Sequence, residues 1–318
     1  MCNNEKENLW SILKSNFHSI LHNNEYYSNI LKFMNYTENN ILLYGQYGFP
    51  TDLFIDEILK NKFQLKTLYK QECIWCKDVH YIYNANFLEI DLSNPNLCKR
   101  FSTISKFLVT IIVNKHVSNA KHYIILKNIN VLSQNDFSCL RILVEKYSKN
   151  VYFLCTTHQL SKIDVPIKSR FSLVRLPLFS HMEIVDVFEK VFNQDLNIHL
   201  KKQKTRDLVK AIFLSEVEKK NKEIITYEFC TLNYPPLMNF VTKLENKKNN
   251  LEIIRKMAYE MFQYNISIVD IVQDLLKIIP KKKYKILESG AYVDYVLSRT
   301  NNGREPIYLE TLLCLVLL

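Results

Sequence analysis

The sequence has few glycines and no apolar run long enough to cross a membrane. Only four of its 318 residues are glycine. The densest apolar stretch, LETLLCLVLL at 309–318, is too short for a bilayer, which a helix spans with about 20 residues. The first ten residues, MCNNEKENLW, have no apolar core of the kind that a secretory signal carries. These absences predict a soluble intracellular protein with no membrane partner.

Cysteine is present, but not in the pattern of a disulfide scaffold. The eight cysteines are scattered along the chain, which indicates a reducing compartment. The scarcity of glycine beside abundant Asn, Lys, Ile and Tyr is typical of an AT-rich genome, such as that of a protist or a large DNA virus. That inference concerns codons and leaves the function open.

The charge balance is basic. Lys and Arg number 42 against 32 Asp and Glu, a formal net charge of +10. Such an excess suits a polyanionic partner, because cations that contact phosphates release counterions. The basic runs at 201–204, 219–222 and 281–285 lie outside the predicted central sheet, and their simpler interpretation is a solvated surface. With 47% hydrophobic residues, the chain can fill the cores of two or three domains.

The middle of the chain reads as strand, helix, strand, turn and strand. His122 to Leu126 and Val151 to Thr157 are continuous apolar runs of strand length, and a third strand is predicted from Phe171 to Leu176. Ser133 opens the intervening helix as its N-cap, with Asp136 placed like the acid of a capping box. Strands buried on both faces, with helices between them, indicate a parallel sheet of the α/β class.

The same stretch resembles a known family. The segments RILVEKYSKNVYFLCTT, LSKIDVPIKSR and VRLP are similar, in order and spacing, to the helix, sensor strand and Ser-Arg-Cys motif of replication factor C small subunits and their bacterial delta-prime relatives. These are AAA+ proteins that load sliding clamps onto DNA. In this chain Phe171 replaces the cysteine. The resemblance implies an α/β AAA+ domain with a parallel five-stranded sheet and flanking helices at 1–178. An all-α lid at 179–234 and an all-α collar that fastens subunits at 235–318 would follow.

A glycine turn follows the first predicted strand. Ile41 to Tyr44 is a short apolar strand, and Gly45 and Gly48 lie in the turn before a helix that runs to Phe63. Strand, glycine turn and helix form the setting of a P-loop, in which backbone N–H groups hold phosphates. The segment GQYGFPTD aligns with GPPGTGKT of the family.

The loop lacks the side chains that a triphosphate needs. Thr51 stands where the resemblance puts the phosphate-binding lysine, and Asp52 stands where a hydroxyl would bind Mg²⁺. Asp52 would add negative charge beside the phosphates. Pro50 removes one phosphate-facing N–H. We therefore expect nucleotide binding in this loop to be lost. The alternative is that Gly45 and Gly48 retain a cradle in which a nucleotide binds as a structural ligand.

The other half of an ATPase site has changed too. Where the family has an Asp-Glu pair after the strand HYIIL, this chain has Lys127 and Asn128. The sensor asparagine is replaced by His158, and the sensor arginine by Val209. Because the hydrolytic groups have changed together, we infer that the chain does not hydrolyse ATP and holds no cofactor in its own site. ATP and Mg²⁺ would be bound by neighbouring subunits.

Arg170 is the group that persists. It ends PIKSR, at the position from which the family reaches across a subunit boundary to the neighbour's ATP. The resemblance therefore implies an arginine finger in trans, with Ser169 shaping the turn. A guanidinium suits that task because its charge is permanent and its fork is planar. The alternative is an arginine that caps a helix or pairs on the surface.

A Cys-x-x-Cys pair lies between the P-loop helix and the next predicted buried strand. Cys73 and Cys76 have ligand spacing, and His80 and Cys98 lie beyond them. Bacterial clamp-loader subunits carry a zinc module in a comparable place. A structural zinc needs four grouped ligands, however, and only two are at ligand spacing. We therefore predict no metal here, and free thiols remain the simpler interpretation.

Taken together, the resemblance implies a non-hydrolysing subunit of a replication-factor-C-like clamp loader. Its partners would be other loader subunits in a hetero-pentamer, a sliding clamp and primer-template DNA, in a nucleus or a viral replication compartment. Two alternatives stay open. One is a divergent ATPase in which Lys127 or another lysine has a repositioned role. The other is an AAA-like adaptor or scaffold of another replication or repair ring.

Overall fold

The computed structural model of the protein describes residues 8–76, 79–94, 101–114, 121–221, 232–234, 236–244, 250–264, 266–299 and 305–317. The chain forms two compact units. The first comprises Met1–Asn197 with Lys204–Glu216, and the second comprises Ile198–Gln203 with Val217–Leu318. The boundaries of the three predicted domains stay predictions. Within the described ranges, no helix combines the length and apolarity that a membrane span requires.

The described residues contain seven strands and fourteen α-helices. The strands are β1 Ile41–Gly45, β2 Gln71–Trp75, β3 Val79–Tyr83, β4 Leu88–Asp91, β5 His122–Lys127, β6 Val151–Thr157 and β7 Ser172–Leu176. The helices are α1 Leu9–His22, α2 Glu25–Tyr36, α3 Thr51–Phe63, α4 Phe101–Val113, α5 Gln134–Lys146, α6 Val165–Lys168, α7 His181–Lys190, α8 Ile198–Gln203, α9 Leu208–Asn221, α10 Pro236–Leu244, α11 Asn250–Gln263, α12 Ile268–Ile278, α13 Lys283–Arg299 and α14 Glu305–Leu317.

The sheet has the order β2-β3-β4-β5-β6-β1-β7. The last five strands of that order run parallel, so the predicted α/β class and parallel five-stranded sheet are confirmed. The antiparallel pair β2 and β3 extends the sheet to seven strands. This hairpin was not predicted, because its residues are mostly exposed or half-buried and lack the continuous apolar run that marks a central strand.

The middle of the chain, from β5 to β6, forms the strand, capped helix and strand that the sequence predicts. Most of β5 and β6 is buried on both faces. Ser133 caps α5, and it forms the expected capping box with Asp136. Phe137 and Leu140 of that helix are buried in the apolar core of the first unit. Burial of one such side chain stabilises the fold by roughly 1.5–3 kcal/mol.

The parallel strands place the glycine loop and Arg170 toward opposite edges of the sheet. Ser172 pairs with Ile41 at the start of β1, and Leu176 pairs with Gly45 at its end. At about 3.3 Å per residue, these edges lie about 13 Å apart. The glycine loop follows Gly45 at the carboxyl edge, where open α/β sheets bind ligands. Arg170 precedes β7 and therefore lies toward the opposite edge.

The second unit has a helical core of its own, to which α10 to α14 contribute. Its one fully buried carboxylate among the described residues is Asp274, which accepts hydrogen bonds from the backbone N–H groups of Asn233 and Tyr234 at 3.0 and 2.8 Å. Lys277 Nζ lies 3.1 Å from the same carboxylate. A buried acid is stable here because its charge is hydrogen-bonded and paired.

Candidate functional site

Polar groups of the glycine loop form hydrogen bonds within the loop itself. The Thr51 N–H donates to the Phe49 carbonyl at 2.8 Å. The Thr51 hydroxyl donates to the same carbonyl at 3.4 Å. In a loop that holds phosphates, groups at this helix start face the ligand. Here the backbone N–H of Thr51 and its hydroxyl are both directed at a carbonyl within the loop.

Phe49 anchors the loop in an aromatic cluster. Its side chain is only 4% exposed. Its ring lies 5.3 Å from the rings of Tyr27 and Phe179 and 5.6 Å from that of Phe54, measured between centroids. Aromatic pairs at these distances add stability beyond the burial of area. Opening the loop around a ligand would therefore disturb a packed core.

Gly48 is held against the start of α9. Its φ of +103° is a conformation that L side chains rarely adopt, and a Cβ added there would lie 2.6 Å from Asp207 Cγ. The Val209 N–H donates to the Gly48 carbonyl at 3.4 Å. Asp207 Oδ1 in turn accepts from the Lys210 N–H at 2.8 Å. A carboxylate thus lies against the loop that would have to hold phosphates.

Lys127 joins the loop helix to the sheet. Its Nζ lies 2.6 Å from Asp52 Oδ1 in the first turn of α3, and it also forms an ion pair with Glu89 of β4. Lys127 and Glu89 are both buried, whereas the Asp52 side chain is 73% exposed. Burial alone would lower the pKa of Lys127, but the charges of Glu89 and Asp52 outweigh it and raise that pKa above its usual value. Lys127 is therefore a fixed cation at neutral pH.

A second lysine extends this network. Lys70 Nζ donates to Glu89 Oε2 at 2.9 Å and forms an ion pair with Asp56, with 2.7 Å between Nζ and Oδ1. Glu89 is thus held between two ammonium groups. In a P-loop ATPase, Mg²⁺ bridges a loop hydroxyl and a carboxylate at a strand end. Here the ammonium group of Lys127 bridges the carboxylates of Asp52, at the start of α3, and of Glu89. The chain therefore supplies the positive charge itself.

Asn128 does not extend this ionic network. Its backbone is left-handed, with φ of 58°, and its amide donates to Asp91 Oδ1 at 2.9 Å and to Ser93 Oγ at 3.1 Å. Burial raises the pKa of Asp91, but hydrogen bonds from Ser93 and Asn128 outweigh it and hold that pKa below its usual value. Asp91 is therefore ionised at neutral pH.

His158 closes the carboxyl edge of the sheet. Its Nδ1 lies 3.2 Å from the Gly45 carbonyl, so Nδ1 must carry the proton in the neutral ring. Its ring stacks on Tyr47 with centroids 4.1 Å apart. Burial lowers its pKa, against the opposing effects of the Gly45 carbonyl, Asp52 and Asp91. Where the resemblance expects a sensor asparagine, the chain thus has a neutral imidazole that is hydrogen-bonded to Gly45.

Arg170 lies away from this cluster. Its Nη1 donates to the Pro166 carbonyl at 2.6 Å and to Ser169 Oγ at 3.1 Å, and its Nη2 forms an ion pair with Glu145 of α5. The side chain is 34% exposed and borders a mostly polar cavity of about 500 Å³. Within the single chain, Arg170 pairs on the surface, as the alternative interpretation expects. A role at a neighbour's phosphate would require it to exchange Glu145 for that phosphate.

The Cys-x-x-Cys pair lies on the β2–β3 hairpin. Cys73 pairs with Tyr81 across the two strands, and Cys76 is exposed in the turn with φ of 51°. Cys98 lies outside the described residues. Across the described ranges, no three His, Cys, Asp or Glu side chains are grouped closely enough to hold a metal ion.

The charged residues of these clusters that the sequence predictions missed are Asp56, Lys70, Glu89, Asp91, Glu145 and Asp207. Glu89 left a usable signal, because it is a carboxylate inside an otherwise apolar strand and a buried charge needs a partner. The others left none, because a single charged residue in a helix, in a loop or at a strand end is typical of a solvated surface.

Comparisons with known proteins place the chain near one family. No protein-family model matches it. A protein of Dictyostelium discoideum described as "Probable replication factor C subunit 3" is 27% identical over 205 residues, which cover 58% of this chain and 57% of the relative. "Replication factor C subunit 5" of Saccharomyces cerevisiae is 31% identical over 110 residues, or 35% of this chain and 30% of the relative. The chain thus spans little more than half of the first relative and under a third of the second.

Among solved structures, a DNA polymerase III gamma subunit-related protein of Thermotoga maritima can be superposed on 90% of this chain, and the match covers 97% of that protein's chain. It has 12% identity and a TM-score of 0.37, a likeness too low to carry a functional argument. The sequence similarity to replication factor C subunits confirms the resemblance predicted from the motifs.

Proposed function

We propose, from this likeness to replication factor C subunits, that the chain is a non-hydrolysing subunit of a clamp loader of that kind. The observation that carries the proposal is the ion pair between Lys127 and Asp52, which occupies the two positions where the family's motifs would hold Mg²⁺. The chain would serve the loader by its structure and through Arg170, and other subunits would bind and hydrolyse the ATP.

The absence of hydrolysis has a direct chemical reason. Catalysis of phosphoryl transfer depends on cations placed around the phosphates and on a carboxylate that holds the metal. Lys127 stands in place of that carboxylate and is already paired with Glu89 and Asp52. A Mg²⁺–triphosphate complex entering this site would have to break those ion pairs and approach the carboxylate of Asp52.

The geometry of the sheet supports action in trans. Gly45 and Lys127 end their strands at the carboxyl edge, whereas Arg170 precedes β7 toward the other edge, about 13 Å away at 3.3 Å per residue. Arg170 therefore has no route to its own loop across the packed sheet. A neighbour bound at that edge would meet a guanidinium, whose permanent charge and planar fork stabilise the charge of a transferring phosphoryl group.

The proposal also implies its partners. The chain would join other loader subunits in a hetero-oligomeric ring, with five members on the pattern of the family. The ring would open a sliding clamp and place it on primer-template DNA, with protein contacts mainly to phosphates. The collar at 235–318 would link the neighbouring subunits.

The test is the DNA- and clamp-stimulated ATPase of the ring reconstituted with its co-encoded subunits. Arg170→Ala should lower turnover by roughly 10³-fold or more at the site it completes, while the ring still assembles. Arg141→Ala is the matched control, because Arg141 lies 4.0 Å from the same Glu145 but belongs to helix α5. Turnover should stay unchanged in that variant. An assembled ring with unchanged turnover after Arg170→Ala would contradict the finger.

One observation favours a second candidate function. Arg170 is engaged by Glu145 and the Pro166 carbonyl within its own chain, which suits a scaffold or adaptor that serves no neighbouring site. Purification from the host with ring proteins other than loader subunits and a clamp would favour this reading. ATP turnover by the chain alone would instead favour a divergent ATPase.

A further inference from the structure

The second unit carries a dense basic segment that the proposed function leaves unused. Residues 281–285 read KKKYK, and all five are exposed. They span a short 3₁₀ turn, Pro280–Lys282, and the first turn of α13. The segment therefore presents four ammonium groups and one phenol ring on a few consecutive residues of ordered structure.

The stability of the fold does not account for this composition. Lysines at the start of a helix oppose its dipole, and α13 has no acidic residue in its first turn to compensate. Lys282 has an internal role, because its Nζ donates to the Val316 carbonyl at 2.9 Å. Lys281, Lys283 and Lys285 form no ion pair or side-chain hydrogen bond with any residue that the structure describes. Among the described residues, no acidic side chain pairs with these three lysines.

An aromatic ring lies in the middle of these charges. Tyr284 is 87% exposed, the same exposed fraction as Tyr36, so its ring contributes little to the core of the unit. Proteins that bind single-stranded nucleic acid combine cations that follow the backbone with aromatic side chains on which bases stack. The paired bases of a duplex are stacked on one another and cannot use such a ring.

We propose that Lys281, Lys283, Tyr284 and Lys285, here called the lysine–tyrosine patch, form a binding site for single-stranded nucleic acid. The three ammonium groups contact successive phosphates, and one base stacks on Tyr284. An acidic polypeptide would satisfy the lysines but would leave the ring without a function. The site belongs to the helical second unit and uses no residue of the glycine loop or of Arg170, so it stands or falls separately from the clamp-loader proposal.

The test measures binding of a fluorescein-labelled oligo(dT) to the full chain by anisotropy at several salt concentrations. Replacing all three lysines of the patch by alanine should flatten the slope of log K against log salt by about 2, at about 0.7 per lost phosphate contact on a single strand. Tyr284→Ala should weaken oligo(dT) binding roughly 5- to 150-fold, and should leave binding of a blunt duplex of the same length unchanged. Tyr284→Phe should bind oligo(dT) like the native chain.

Matched variants separate the patch from general charge and general exposure. Lys14, Lys32 and Lys66 are exposed lysines scattered over the first unit, and their joint replacement by alanine removes the same charge. This scattered-lysine variant should keep most of the slope of log K against log salt. Tyr36→Ala should not weaken binding.

Three results would overturn the proposal. They are an equal loss of affinity in the scattered-lysine variant, an equal effect of Tyr284→Ala on duplex and single strand, or competition by polyglutamate as effective as that by oligo(dT) at matched charge. Because all the replaced side chains are exposed, each variant should melt within a few degrees of the native chain, and a melting curve checks this before binding is compared.

Discussion

Lys127 and Asp52 form an ion pair with 2.6 Å between Nζ and Oδ1, and this contact joins the end of β5 to the first turn of α3. Under the predicted resemblance, a carboxylate and a hydroxyl would stand at these two positions and would hold a metal ion. The chain has a cation at the strand and an anion on the helix. The same two elements are therefore tied together without any ligand, and Glu89 completes the arrangement from β4.

The two sides of this ion pair should differ in their contribution to stability. Lys127→Met should lower the free energy of unfolding by about 3–5 kcal/mol, because it leaves the buried Glu89 with only Lys70 as a partner. Asp52→Asn should cost at most about 1 kcal/mol, because the Asp52 side chain is mostly exposed and solvent screens it. Urea unfolding measures both. Adding Glu89→Gln to Lys127→Met should recover part of the loss, and equal losses in the two single variants would contradict this view of the network.

Nucleotide should leave the stability of the isolated chain unchanged. A ligand present at 100 times its Kd would raise the free energy of unfolding by about 2.7 kcal/mol, so millimolar MgATP would reveal any Kd near 10 µM or below. We expect no shift in melting temperature, because Lys127, Asp52 and the buried Phe49 keep the loop in its unliganded form. Magnesium sulfate at the same ionic strength is the control. A shift of several degrees with MgATP alone would mean that the loop still binds nucleotide.

Gly48→Ala should destabilise the first unit by about 1–3 kcal/mol. The backbone at this position is left-handed, and a Cβ would meet the carboxyl group of Asp207 at 2.6 Å. Gln46→Ala, at an exposed position of the same loop, should cost less than about 0.5 kcal/mol. Thermal or urea unfolding compares the two. If the contact with Asp207 matters, Gly48→Ala combined with Asp207→Ala should cost less than the sum of the single changes, and strict additivity would speak against it.

Stability should fall on acidification below about pH 6.5 through His158. The pKa of His158 is lowered in the folded state, mainly by burial, so between its folded and unfolded pKa values the unfolded chain binds more protons. The free energy of unfolding then decreases as pH falls, with a slope of at most about 1.4 kcal/mol per pH unit for one group. His158→Gln should remove this part of the slope and leave the profile above pH 7 unchanged. An unaltered acid profile in the variant would contradict the assignment.

The local elements were largely predictable from the residues. The capping box of Ser133 and Asp136 was expected, and so were the two long buried strands and the glycine turn after Ile41 to Tyr44. The hairpin of β2 and β3 was not expected, because it lies at the edge of the sheet, where few positions are buried and the alternation is weak.

The candidate site was likewise predictable only in part: its residue types can be read from the sequence, but their partners cannot. That the predicted phosphate loop has no lysine and that the strand end has no acid can be read directly at Thr51, Lys127 and Asn128. That Lys127 is paired, and with which groups, cannot be read from the sequence.

Features that depend on neighbours along the chain are visible in the residues alone: the apolar runs, the helix caps, the glycine turn and the replaced motif residues. Which charges meet depends on how the elements pack. Asp52, Glu89 and Lys127 are far apart in the chain and come together only because β4, β5 and the start of α3 reach one edge of the sheet. The strength of an ion pair depends on the distance between its charges and on their burial, and neither quantity has a period or a spacing that a sequence displays.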